Sequence, residues 1–129
     1  MPPNRLESKK STRFRINTSP IRNAMFNQTT VKQLEADVGK DVLGQLFAVF
    51  KSEATKLTEQ IMAVTTLDDD AVRFSHSLKS CARSYGADQL GALAETLEAH
   101  AKNNDTAFFA ERALLPEIHS ATMAAIPMS

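Results

Sequence analysis

The 129-residue sequence predicts an all-α protein: an antiparallel up-down four-helix bundle with a short extra N-terminal helix. Three observations predict it. From residue 29 onward, apolar residues recur at the three/four spacing of buried helix faces. Short turn signals separate these segments, which makes neighbouring helices antiparallel. With only 4 Gly, no Trp and no sustained alternation, the chain does not read as a turn-rich β-protein. Apolar residues make up 43% and charged residues 23%, which excludes a disordered chain and fits one domain.

Residues 1–28 stand apart. They hold Arg5, Lys9, Lys10, Arg13, Arg15 and Arg22 against Glu7, with Pro2, Pro3 and Pro20 and no helical period. The reading is a basic, flexible arm, with Ile21 to Phe26 docking as a short turn. A basic arm can meet nucleic acid, an anionic membrane or an acidic protein. Phe14 is the one aromatic among its charges, so a solvated leader is the preferred reading and no nucleic acid is expected. The body, residues 29–129, carries the opposite imbalance.

Thr29 or Thr30 is expected to cap a short helix through Val31, Leu34 and Val38, ended by Gly39. A long helix over roughly 40–64 follows, its buried face Leu43, Leu46, Phe47, Phe50, Ala54, Leu57, Ile61 and Val64, with Val49 on the flank. Thr65-Thr66-Leu67 breaks the pattern. Asp68, Asp69 and Asp70 read as a cap and acidic first turn rather than a metal site. That helix runs to about Tyr85 and stops at Gly86. Another begins near Asp88 with Leu90, Leu93, Ala94, Leu97 and Ala101 on one stripe. The last starts near Thr106, uses Phe108, Leu115, Ile118 and Ala125, and should kink or break at Pro116. No apolar run approaches the ~18 residues of a membrane span, and no secretory leader is read. The single Cys cannot form an internal disulfide. The expected setting is the reducing cytoplasm, and the expected state a monomer.

The helix from Asp68 to Tyr85 carries the chemistry. With His76 at zero and ~100° per residue, Phe74, Leu78, Cys81, Ala82 and Tyr85 share one apolar face. His76 lies opposite, flanked by Lys79, Arg83 and Ser80. Neighbouring Lys and Arg repel a cation and offer no ligand, so no metal site is read at His76. A neutral imidazole is a nucleophile, Lys79 one turn on can hold an anion beside it, and Ser80 is small enough to let a partner approach. Arg83 is either a docking residue or plain surface. Cys81, Phe74 and Tyr85 read as packing, and His100 and His119 as ordinary histidines.

Residues 76–87 read H-S-L-K-S-C-A-R-S-Y-G-A. This resembles the histidine-phosphotransfer (HPt) family, whose pattern is approximately H-x-L-K-G-[SA]-[SA]-x-x-[VLIF]-G-A. The likeness extends over about residues 29–126. Within the family it is most similar to the stand-alone phosphotransfer proteins of bacterial quorum-sensing relays. The resemblance implies that His76 is the phosphoacceptor and Lys79 stabilises the phosphate, with Ser80 and Arg83 beside the receiver-docking surface. The implied function is to accept a phosphoryl group from one receiver-domain aspartate and pass it to another. The implied partners are the receiver domains of a hybrid sensor kinase and of a response regulator. No cofactor is expected on this chain, since the receiver supplies Mg²⁺, and no ATP-dependent kinase activity is implied. The competing reading is an interaction module that sequesters receivers or kinases without carrying phosphate.

Two positions depart from the family. The usual Gly one turn after the histidine is Ser80, and a Gln common on the next helix is Glu98. A carboxylate there would repel a phosphoryl group, so Glu98 is expected to turn outward or to orient the ring from the other side.

Overall fold

The computed structural model describes residues 25–127. The basic arm up to residue 24 lies outside the described residues. The described elements are all helical: α1 (Gln28–Met62), α2 (Asp69–Ser84), α3 (Asp88–Lys102), α4 (Ala107–Glu111), a 3₁₀ turn (Arg112–Leu114) and α5 (Leu115–Ala124).

Each boundary has a local cause. The cap of α1 is Asn27 rather than Thr29 or Thr30: its Oδ1 accepts the Thr30 N–H at 3.2 Å. Asn27 also donates its own backbone N–H to the Gly86 carbonyl at 2.7 Å, tying the entry of α1 to the end of α2. That tertiary bond selects the cap, and nothing local to the two threonines could announce it. Gly39 breaks α1 internally at φ 85°, ψ 162°, so the short helix and the long one are separate runs joined at one left-handed residue. Asp68 caps α2 by accepting the N–H groups of Asp70 and Ala71, with Asp69 and Asp70 in the first turn. Gly86, at φ 80°, follows Tyr85 and ends α2.

The last helix is split. The chain leaves α4, passes through the 3₁₀ turn, and restarts as α5 with Pro116 in its first turn. The break therefore falls before the proline, which sits where its missing N–H costs nothing. Arg112, in the 3₁₀ turn, donates to the carbonyls of Ile61 and Val64 at 3.0 and 2.6 Å and satisfies orphan carbonyls at the C-terminal end of α1.

The packing follows the predicted stripes except at Leu46, which is half-buried. Leu43, Phe47, Phe50, Ala54, Leu57, Ile61 and Val64 of the first stripe are buried, as are Leu90, Leu93, Ala94, Leu97 and Ala101 of α3. Val49, on the flank, stays exposed. Contacts run in opposite directions along neighbours, as in an up-down bundle. Arg83 reaches Glu95 while the earlier Lys79 reaches the later Glu98, and the Thr55 hydroxyl meets His119 while the later Ile61 meets the earlier Arg112. α2 and α3 share the most extensive contact.

One expectation holds where it can be seen and one changes. Of the segment expected to dock, Ile21 to Phe26, the described Met25 and Phe26 are buried, and Phe26 lies edge-on to Phe47 and Phe50 at centroid distances of 5.6 and 6.0 Å. The buried line of α2 is Ala71, Ser75, Leu78 and Ala82, which turns the helix by about 40° from the apolar face read from sequence. Phe74, Cys81 and Tyr85 are consequently half-buried at its edge. Small residues at the centre let α3 approach closely, and the Ser75 hydroxyl is satisfied by the Ala71 carbonyl at 2.9 Å.

Candidate functional site

The rotation of α2 leaves His76 on the face turned from the core, its side chain 58% exposed. Short connections and small residues along Ala71, Ser75 and Ala82 bring α3 alongside. Glu98 is the residue that meets His76 there. Its side chain is only 5% exposed, although it lies on the stripe formed by Leu90, Ala94, Leu97 and Ala101.

Three groups converge on this carboxylate. His76 Nδ1 stands 2.9 Å from Oε2, Lys79 Nζ 2.8 Å from Oε1, and Lys102 Nζ 3.2 Å from Oε2. Burial works against ionisation of Glu98, but the bonds from Lys79, His76 and Lys102 outweigh it and pull the carboxyl down to about 2 from 4.5. Glu98 is therefore a carboxylate, and a carboxylate can only accept. His76 Nδ1 must carry the hydrogen. In the neutral ring the lone pair is then on Nε2, the nitrogen away from Glu98. This resolves the alternatives for Glu98: it does not turn outward but holds the ring from behind. The sequence carried a signal for it, since a lone Glu four residues after Ala94 and three before Ala101 falls on an apolar stripe and needs a partner.

Lys79 is brought to the site, 26% exposed and bound to Glu98. Lys102 carries no sequence signal of its own for the site; it joins because it sits one turn beyond Glu98 on α3. Ser80, one turn after His76, is exposed and small, and its carbonyl accepts the Ser84 hydroxyl at 2.9 Å. Arg83 is not free surface: Nη2 meets Glu95 Oε1 at 2.7 Å, and its stem crosses Gly91, where a Cβ would stand 2.9 Å from Arg83 Cγ.

Other candidates stay apart from His76. Burial, reinforced by Glu53, pushes the half-buried Cys81 thiol up to about 11, so it is an unreactive packing group. The His119 ring bonds the Thr55 hydroxyl at 3.0 Å, and burial lowers its pKa. His100 lies 3.4 Å from Asp105. A divalent cation does not fit the Glu98 site, because both carboxylate oxygens are already taken by donors, two of them ammonium groups.

A four-helix bundle that presents one oriented imidazole beside lysines defines a class of carrier proteins. The Hpt domain model matches residues 45–124, and the chain belongs to that family. Among curated relatives, the phosphorelay protein LuxU of Vibrio cholerae is 31% identical over 82 residues, covering 62% of this chain and 73% of the relative. The phosphorelay protein LuxU of Vibrio vulnificus is 32% identical over 84 residues, covering 63% and 72%. No solved structure matches the chain. No described helix is long and apolar enough to cross a membrane.

Proposed function

We propose that this protein is the histidine-bearing carrier of a phosphorelay, with His76 Nε2 as the accepting atom. The observation that carries the reading is the 2.9 Å bond between His76 Nδ1 and the buried Glu98 carboxylate. With the ring hydrogen on Nδ1, the lone pair is left on Nε2 of a side chain that is 58% exposed, which supports approach by an aspartyl phosphate.

The step balances. The Nε2 lone pair forms the N–P bond as the P–O bond to the receiver aspartate breaks, and that aspartate leaves as a carboxylate. The ring keeps its Nδ1 hydrogen and becomes a phosphorylated imidazolium. Glu98 stabilises the positive charge that develops there, as a buried carboxylate does behind other catalytic histidines. Lys79 holds the phosphoryl oxygens. The reverse step returns the group to a second receiver. Position and charge are most of what this transfer needs from the carrier. Mg²⁺ belongs to the receiver, and the carrier's own site has no place for it.

The partners in this reading are the receivers of a hybrid sensor kinase and of a response regulator, visited in turn by a cytoplasmic monomer. Ser80 keeps the approach to His76 open, and Arg83, steadied by Glu95, borders the docking surface. Radiolabel transfer from a phosphorylated receiver to the chain and on to a second receiver tests this. His76→Gln should abolish acceptance. Lys79→Ala should slow it by about tenfold, the loss of one charge-assisted contact. A parent chain that docks the receiver but takes no label would instead be the sequestering module.

A further inference from the structure

Glu98 solves one problem and creates another. Its carboxylate orients His76 from the Nδ1 side, yet it adds a buried negative charge to a site that must take a dianionic group. Lys79 alone offsets that carboxylate and leaves nothing over for the phosphate. The third member of the cluster is Lys102, whose Nζ is 3.2 Å from the same Oε2 that holds His76 Nδ1 at 2.9 Å. It belongs to α3, while His76 and Lys79 belong to α2, so the two ammonium groups reach the carboxylate from different helices.

We propose that Lys102 is a second phosphate-holding cation of the His76 site, one that turns from Glu98 to the phosphoryl group when His76 is charged. The inference rests on His76 being the acceptor. Its support is the charge balance of the cluster. With a neutral ring, Glu98, Lys79 and Lys102 together carry one net positive charge. The phosphorylated imidazolium, with its dianionic phosphoryl group, adds one net negative charge. The charged cluster is then neutral. Without Lys102 the same step would take a neutral cluster to a net negative one, with one side of it in a poorly hydrated pocket.

The side chain is suited to the move. Lys102 is 60% exposed, its ammonium has three rotatable donors, and it shares Oε2 with the ring instead of holding an oxygen alone. An ordinary pair one helical turn apart would steady α3 and nothing more. Sharing one carboxylate oxygen with His76 Nδ1 keeps Nζ within a side chain's swing of the ring and gives it a further role.

The test is the equilibrium phosphorylated fraction of the intact chain with a phosphorylated receiver, measured for the parent, Lys102→Met, Lys102→Arg and His76→Gln. Lys102→Met should lower the fraction by about fivefold at low salt, and the deficit should shrink as salt screens the missing charge. Lys102→Arg should restore most of it. The ¹⁵N shift of unphosphorylated His76 Nδ1 should be the same in parent and Lys102→Met, which separates a phosphate contact from lost ring orientation. In the parent, phosphorylation should slow reductive methylation of Lys102. If Lys102→Met matches the parent in fraction and salt dependence while His76→Gln takes no phosphate, the Lys102 inference falls and the carrier reading stands. If the parent takes no phosphate, both fall.

Discussion

Glu98 is where a single side chain sets the chemistry. A Gln in its place could accept the Nδ1 hydrogen but could not balance a developing imidazolium. Replacing Glu98 with Ala removes the acceptor altogether. The expected outcome is a ten- to hundredfold slower phosphoryl acceptance, since a hydrogen bond to a charged group is worth ~1.5–3 kcal/mol. Stopped-flow or quenched transfer assays would measure it, and Glu98→Gln should recover part of the rate. Glu98 also makes stability depend on acid. Its carboxyl is pulled from 4.5 to about 2, so between those values the unfolded chain binds the proton and the folded chain does not. The stability it contributes is complete above about pH 4.5 and drains away as pH falls toward 2. Urea unfolding across that window should show a shallower loss for Glu98→Gln than for the parent. A matching slope would mean that other carboxylates account for the acid sensitivity. Sequence showed His76 and Lys79 in their register and raised the question of Glu98. It could not show Lys102 at the site, because that depends on how far α3 slides along α2.

The elements owe their limits to a few residues. Asp68 holds two orphan N–H groups at the start of the helix that bears His76. Asp68→Ala should cost ~1 kcal/mol in thermal or urea unfolding while leaving His76 chemistry in place. Gly39 and Gly86 both sit at positive φ but differ in surroundings. A Cβ at Gly39 meets nothing within 4 Å, whereas one at Gly86 would stand 3.0 Å from Thr30 Cβ and 3.2 Å from the Asn27 carbonyl oxygen. Gly39→Ala should therefore cost about 1 kcal/mol of backbone strain, and Gly86→Ala measurably more, from strain plus crowding. Equal losses by calorimetry would show that the close approach of α1 to the α2 end is not tight. Gly39, Asp68 and Gly86 were legible because helix termini are written locally. The Asn27 cap was not, since Thr29 and Thr30 are equally good local candidates and the choice was made by the bond to Gly86. The split before Pro116 was legible as a break but not in its position, which the grip of Arg112 on α1 decides.

At the scale of the molecule, the core extends beyond the helices into the residues before them. Phe26 is 1% exposed and closes an aromatic cluster with Phe47 and Phe50. Phe26→Ala should cost about 3–5 kcal/mol, enough to lower the melting temperature sharply. A trimmed chain beginning after Phe26 should suffer equally. An unchanged melting temperature would move the edge of the domain back to α1. The amino-acid order by itself determined the all-helical class, the stripes of α1 and α3, the start of α2 and the exposed histidine with its lysine one turn on. All of these depend on spacing along one helix, where geometry repeats every few residues. Only the packed bundle decided the rotation of α2, the partners that Phe26 finds in Phe47 and Phe50, and the meeting of Glu98 and Lys102 with His76. Those depend on the depth and register at which separate helices interlock, and that is settled by the size of side chains facing one another across the interface.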